Sequence, residues 1–126
     1  MSTIKVDTLV AADGSSAVTL TKQIAAKVFN TVDQTGTMTT LDSFNVSSIS
    51  DFATGGTKTN YTNNMNNSDY AFSLSRDRTG SDNGGVVQTS TSEGPQTGSF
   101  RFNCFGENFS GKDVDRACLI AHGDLA

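Results

Sequence analysis

The chain has 126 residues, which suits one domain with a single hydrophobic core. Its formal net charge is −4, so it lacks the excess of Lys and Arg that nonspecific nucleic-acid binding needs. No apolar run of roughly 18 residues is present, so we expect no membrane insertion. The residues are rich in Ser, Thr, Asn and Gly, and 8 Phe with no Trp supply the aromatic content, which favours an all-β fold with many turns.

The first residues alternate between apolar and polar side chains. Ile4 and Val6 fall on one side of an extended segment before a turn signal at Asp13-Gly14. The start lacks the features of a secretory signal, so we expect the mature protein to keep it. We predict an N-terminal docking and assembly arm over residues 1–26 and a β-sandwich domain over residues 27–126. The predicted assembly contacts of the arm are Ile4, Val6, Leu9 and Val10.

The next segments leave alternatives open. The apolar spacing up to Phe29 fits a short helix over Thr21–Phe29 or a linker that runs into a strand over residues 27–32. Phe44 and Val46 then share one face of a strand, whereas Ile49 has the opposite parity. Such a phase shift predicts a bulge or a change of strand partner.

Turn signals recur along the rest of the chain at intervals typical of a sandwich. The Thr54-Gly55-Gly56 signal predicts a hairpin whose second strand contains Thr57, Thr59 and Tyr61. In two later segments, apolar residues alternate with small or polar ones, which predicts strands with one side facing the core. The predicted core residues are Tyr70, Phe72 and Leu74 in the first strand and Phe100, Phe102 and Cys104 in the second. The nearly continuous apolar run Arg116–His122 predicts a central strand that is covered on both faces. The predicted fold is an all-β, antiparallel, jelly-roll-like β-sandwich with an extended N-terminal arm.

No residue pattern points to catalysis, a cofactor or a resident metal. The chain has no GxSxG elbow and no phosphate-binding GxxxxGK, so we expect a protein that is not an enzyme. The acidic loop Asp77–Asn83 does not have EF-hand spacing, and the nearby Arg76 and Arg78 oppose calcium. Cys104 and Cys118 fit two buried free thiols, one disulfide across neighbouring strands or one reactive thiol, and the lack of a secretory signal favours the buried free thiols. His122 has no partner in the sequence that would suggest acid–base chemistry.

The densest polar segment is Asn60–Tyr70, in which amide side chains stand beside two aromatic rings. It fits a long polar loop between strands, since Asn tolerates left-handed backbone. Amides next to aromatic rings also suit sugar hydroxyls. The residues of this second interpretation, a glycan contact, are Tyr61, Asn63, Asn64 and Tyr70.

Several stretches resemble small tail fibre-like virion structural proteins of marine tailed bacteriophages, many of them cyanophages. The shared stretches are Met1–Leu9, Ala26–Asn30, Asp42–Asp51 with the later Met65, and the closing His122-Gly123-Asp124. The resemblance covers most of the chain and is weakest between Arg76 and Thr97. The chain departs from the pattern at Val28-Phe29, where relatives carry a tryptophan, and at Lys58 and Asn60.

The resemblance implies a function in the virion, which would assemble in the host cytoplasm. It implies β-sandwich subunits that form homotrimers and contact other virion proteins of the tail or capsid. Proteins of this kind serve as tail fibres, fibre adaptors or capsid-surface decorations. A receptor-binding role would add a host surface glycan as a partner, and the expected partners include neither nucleic acid nor membrane.

Overall fold

The described part of the chain consists of β-strands and connecting turns. The computed structural model of the protein describes residues 25–77 and 84–126. The strands within these ranges are β1 (Val28–Asp33), β2 (Thr39–Phe44), β3 (Val46–Ala53), β4 (Gly56–Tyr61), β5 (Ala71–Arg76), β6 (Val86–Thr89), β7 (Ser99–Phe105) and β8 (Ala117–His122). The arm contacts Ile4, Val6, Leu9 and Val10 lie outside the described residues, as do residues 78–83 of the acidic loop. Of the two alternatives near Phe29, the structure has the strand, because β1 begins at Val28.

The strands form two antiparallel four-stranded sheets. The first sheet has the order β2-β1-β8-β5 and the second has the order β3-β4-β7-β6. The sheets pack face to face, and the Asn30 side-chain amide of β1 donates to the Thr59 hydroxyl of β4 across the core at 2.9 Å. The first and last strands pair in the middle of the first sheet. The predicted all-β, antiparallel, jelly-roll-like sandwich is therefore confirmed.

The core lies between the sheets and has large aromatic side chains at its centre. Phe100, Phe102 and Cys104 of β7 are fully buried, as the alternation predicted. Val28 and Leu119 face them from the first sheet and are buried to the same extent. Complete burial of one such side chain contributes about 1.5–3 kcal/mol, so these strands hold much of the folding free energy.

The predicted hairpin is present, with β3 paired to β4 and Ile49 opposite Thr59. The register shifts between Val46 and Ser48, which is the irregularity that the phase of the sequence predicted. Phe44 and Val46 do not share a strand, however. Phe44 ends β2 in the first sheet and Val46 begins β3 in the second, because Asn45 has a φ of 58° and turns the chain between the sheets.

The predictions for the first sheet were partly wrong about burial. β8 lies between β1 and β5, so it is central as predicted. Its burial alternates along the strand, and Ile120 is 41% exposed, because the second sheet covers only one face of a two-layer sandwich. Phe72 is 40% exposed although it packs against Phe100 at a ring distance of 4.7 Å. β5 is an edge strand, which explains this partial cover.

Candidate functional site on the outer sheet faces

An apolar row crosses the outer face of the first sheet. Phe29 lies opposite Phe44 on one side and opposite Ile120 on the other. On its other side, Ile120 lies opposite Ser73 of β5. A line of paired residues therefore crosses all four strands of the sheet. The rings of Phe29 and Phe44 stack at 6.2 Å between centroids. We call Phe29, Phe44 and Ile120 the apolar row.

The apolar row is open to solvent in the described structure. Phe44 is 53% exposed and Ile120 is 41% exposed, although Ile120 belongs to a central strand. The adjacent register positions on this face include Thr31 and Cys118, whose hydroxyl and thiol form a weak hydrogen bond at 3.6 Å. Asp42 lies opposite Thr31, so a carboxylate borders the row on this face. An exposed apolar patch that polar residues border is typical of a surface that another protein covers.

The outer face of the second sheet has a different character. The carboxylate of Glu93 accepts from Lys58 Nζ at 2.6 Å and from Arg101 Nη1 at 3.2 Å. The hydrogen bond from Lys58 is the main cause that holds the pKa of Glu93 below its usual range. The guanidinium of Arg101 also lies over the Phe52 ring, 3.7 Å from its centroid. This network attaches the loop after β6 to the sheet.

A cavity of about 170 Å³ lies beside this network. Phe52 and Phe105 supply its aromatic lining, and Gln88 and Asn103 supply amide groups. The hydroxyl-rich segment 89–92 lines another part of it. We call this site the outer cavity. It combines apolar rings with neutral hydrogen-bonding groups.

The structure corrects the predicted glycan contact at the two tyrosines. Tyr61 and Tyr70 are only 6% and 7% exposed, and both belong to the core. Their hydroxyls are 2.9 Å apart, and the Tyr70 hydroxyl donates to the Gln96 carbonyl at 3.0 Å. Burial is the first cause that raises the pKa of each phenol. A sugar ring cannot stack on a face that is already packed in the core.

The two asparagines of the same prediction lie at the surface, but the two tyrosine rings predicted to act with them are buried. The backbone N–H of Asn63 donates to Asn45 Oδ1 at 2.7 Å, which fixes the loop against the corner between the sheets. The carbonyl of Asn64 accepts from the N–H of Ala126 at 2.9 Å. The segment between Tyr61 and Tyr70 therefore closes one end of the sandwich.

The cysteines and the acidic residues of the described structure do not come together in one site. Cys104 and Cys118 are free thiols as predicted, but only Cys104 is buried, whereas Cys118 is partly exposed. Burial raises the pKa of the Cys104 thiol to about 11. Asp77 Oδ2 lies 3.8 Å from Arg116 Nη1, whereas the rest of the acidic loop Asp77–Asn83 is outside the described residues. In residues 25–77 and 84–126, no three side chains of the His, Cys, Asp and Glu types group as metal ligands. The same ranges contain no helix that could cross a membrane.

Sequence reasoning missed both outer-face features. The apolar row joins residues from the beginning, middle and end of the described chain, and only the strand register brings them together. The outer cavity likewise joins Phe52 of β3 to residues of β6 and β7. A comparison of the chain with protein-family models, with curated proteins and with solved structures gives no match.

Proposed function

We propose that the protein is a structural subunit of a bacteriophage virion, a fibre-like tail component that forms homotrimers and displays its β-sandwich at the particle surface. The observation that carries the proposal is the exposed apolar row on a regular sheet face. The sequence resemblance supplies the virion context. A capsid decoration protein would use the same surface for assembly, and it is the alternative location of the subunit.

A second copy of the chain is the occupant that the apolar row suits. The row extends over roughly 10 Å, because its three strands lie about 4.8 Å apart. Exposed apolar sheet faces are stabilised by packing against another sheet, and identical subunits can present such faces to one symmetry axis. In the trimer, the three apolar rows turn towards the threefold axis.

The energetics of the row also give the N-terminal arm a role. Covering the exposed parts of Phe44 and Ile120 would gain on the order of 1 kcal/mol each. Association costs roughly 4–15 kcal/mol in lost freedom, so the row needs further contacts to hold a trimer. Burial of Ile4, Val6, Leu9 and Val10 would contribute on the order of 6–10 kcal/mol per subunit before ordering costs. The proposed trimer therefore uses the row for register and the arm for affinity.

The first prediction concerns Ile120→Lys. We expect the wild-type chain to have trimer mass by light scattering, and we expect Ile120→Lys to be monomeric at the same micromolar concentration. A lysine in the row would place a charge in each of three buried contacts, which is costly. The matched control is Val86→Lys on the second sheet, because Val86 is 42% exposed and Ile120 is 41% exposed. Val86→Lys should remain trimeric.

Two outcomes would contradict the assembly proposal. One is a wild-type chain that is monomeric at micromolar concentration, and the other is equal dissociation by both lysine variants. The virion context has its own test, in which antibodies against the protein label intact phage particles for electron microscopy. Label at the tail supports the tail component, label over the head supports the decoration alternative, and absence of label contradicts both.

A further inference from the structure

One residue that lines the outer cavity has a buried polar atom with no hydrogen-bond partner in the described structure. This atom is Asn103 Oδ1. Asn103 lies in β7 between Gly56 of β4 and Gln88 of β6, so the strand register fixes its position on the outer face. Buried polar atoms nearly always have partners in native proteins. An unpartnered acceptor at a cavity wall is therefore a place where a ligand donor would bind.

Both cations of the network beside the cavity already have a carboxylate partner. Glu93 pairs with Lys58 and with Arg101, and the guanidinium of Arg101 is stacked on Phe52. None of these three charged residues lines the cavity itself. The groups left for recognition are neutral, namely the amides of Gln88 and Asn103 and the hydroxyls of residues 89–92. This set favours a neutral ligand with several hydroxyl groups.

The size and the aromatic lining of the cavity restrict the class of ligand further. The volume of about 170 Å³ is below the roughly 300 Å³ at which drug-sized sites begin, so the cavity suits one ring rather than a chain of rings. Phe52 and Phe105 offer apolar surface against which the C–H groups of a sugar ring can pack. Amides and hydroxyls at the same site can exchange hydrogen bonds with the sugar hydroxyls.

We propose that the outer cavity binds a single neutral pyranose ring. The ring packs against Phe52 and Phe105, and one of its hydroxyls donates to Asn103 Oδ1. The site is on the second sheet and the apolar row is on the first, so a trimer formed through the row leaves the cavity open to solvent. The proposal does not depend on assembly, because all the named groups belong to one copy of the chain.

The test is saturation-transfer NMR on the full-length protein with methyl glycosides of glucose, galactose and mannose and with N-acetylglucosamine at millimolar concentration. We expect at least one of these neutral sugars to bind. Asn103→Ala should weaken that binding at least about tenfold, since it removes the acceptor. The matched control is Asn60→Ala, because Asn60 lies on the same outer face but bonds to Ser48 outside the cavity. Asn60→Ala should bind like the wild type.

A thermal melt separates a binding role from a structural one. Asn103→Ala removes a buried acceptor that has no partner, so its melting temperature should equal or exceed that of the wild type. A lower melting temperature together with weaker binding would assign Asn103 a structural role and overturn the proposal. Binding of none of the four neutral sugars would also overturn it, as would binding confined to a charged sugar such as sialic acid. An unchanged affinity in both Asn103→Ala and Phe105→Ala would exclude this cavity as the site.

Discussion

Gln34 is the residue whose hydrogen bonds best explain how one end of the sandwich is closed. Its side chain is fully buried, yet both ends of the amide have partners. Nε2 donates to the Gly55 carbonyl at 3.0 Å and to the Thr57 hydroxyl at 2.9 Å, and Oε1 accepts from the Val114 N–H at 3.2 Å. One side chain thus connects the end of β1 to the β3–β4 turn and to the segment before β8.

We therefore predict that Gln34→Leu destabilises the fold by about 2–4 kcal/mol, although leucine is more apolar. The change leaves the Val114 N–H buried without this partner, which costs about 1–3 kcal/mol, and it removes the hydrogen bonds that the Gln34 amide donates to the Gly55 carbonyl and the Thr57 hydroxyl. The Gly55 carbonyl keeps the hydrogen bond from the Cys104 N–H. Urea unfolding measures the loss in the free energy of unfolding, provided that the slope with urea concentration is unchanged. The control is Asn30→Val, which removes one hydrogen bond to the Thr59 hydroxyl but also removes an acceptor that has no partner, so it should cost less than Gln34→Leu. Equal costs for the two variants would contradict this account of the buried amides.

At the scale of an element, the β3–β4 turn depends on a glycine for two separate reasons. Gly55 has a φ of +75°, which disfavours any residue with a side chain. A Cβ at this position would also collide with the Cys104 carbonyl and lie 2.7 Å from the Lys112 N–H, both backbone groups of the neighbouring segments. A side chain at this position is therefore excluded both by the backbone conformation and by the backbone atoms packed against it.

We predict that Gly55→Ala costs more than about 3 kcal/mol or prevents folding, whereas Gly36→Ala costs only about 1–2 kcal/mol. Gly36 is the matched position because its φ is +65°, but a Cβ there would meet no atom within 4 Å. The difference between the two variants isolates the collision from the backbone strain. Circular dichroism during thermal and urea unfolding gives both free energies. Similar losses would show that the surrounding backbone yields to the added methyl group.

The elements also show how much of the structure the sequence could predict. The hairpin across Gly55 and the buried face of Phe100 and Phe102 depend on neighbours in the chain, so alternation and turn residues were sufficient. Alternation also predicted Tyr70 in the core, whereas the burial of Tyr61 depends on where its strand ends relative to the other sheet, and the surrounding asparagines concealed it. Exposure of Ile120 depends on which face of β8 lacks a cover, and a nearly continuous apolar run cannot indicate that.

For the molecule as a whole, the two outer faces have different chemistry. The first sheet presents the apolar row, which the proposed function buries between copies of the chain. The second presents a paired charge network and the outer cavity, which the further inference leaves in solvent. A two-layer sandwich separates these surfaces by the thickness of its core. One face can therefore assemble while the other binds a ligand.

Cys118 can test whether the first sheet is the assembly face, because it lies on the same face of β8 as Ile120, two residues away. We predict that N-ethylmaleimide modifies Cys118 slowly in the trimer and at least about tenfold faster in the monomer, because thiol access controls the rate. Phe44→Lys is the variant used to obtain the monomer. Position 44 lies two strands from Cys118, so the new lysine does not itself change the surroundings of the thiol. Cys104 is the internal control: it is buried, and its pKa of about 11 keeps it protonated at mildly alkaline pH. It should react in neither form until guanidinium unfolds the chain. Equal Cys118 rates in a trimeric wild type and in the monomeric variant would show that the chain assembles through a surface other than the apolar row.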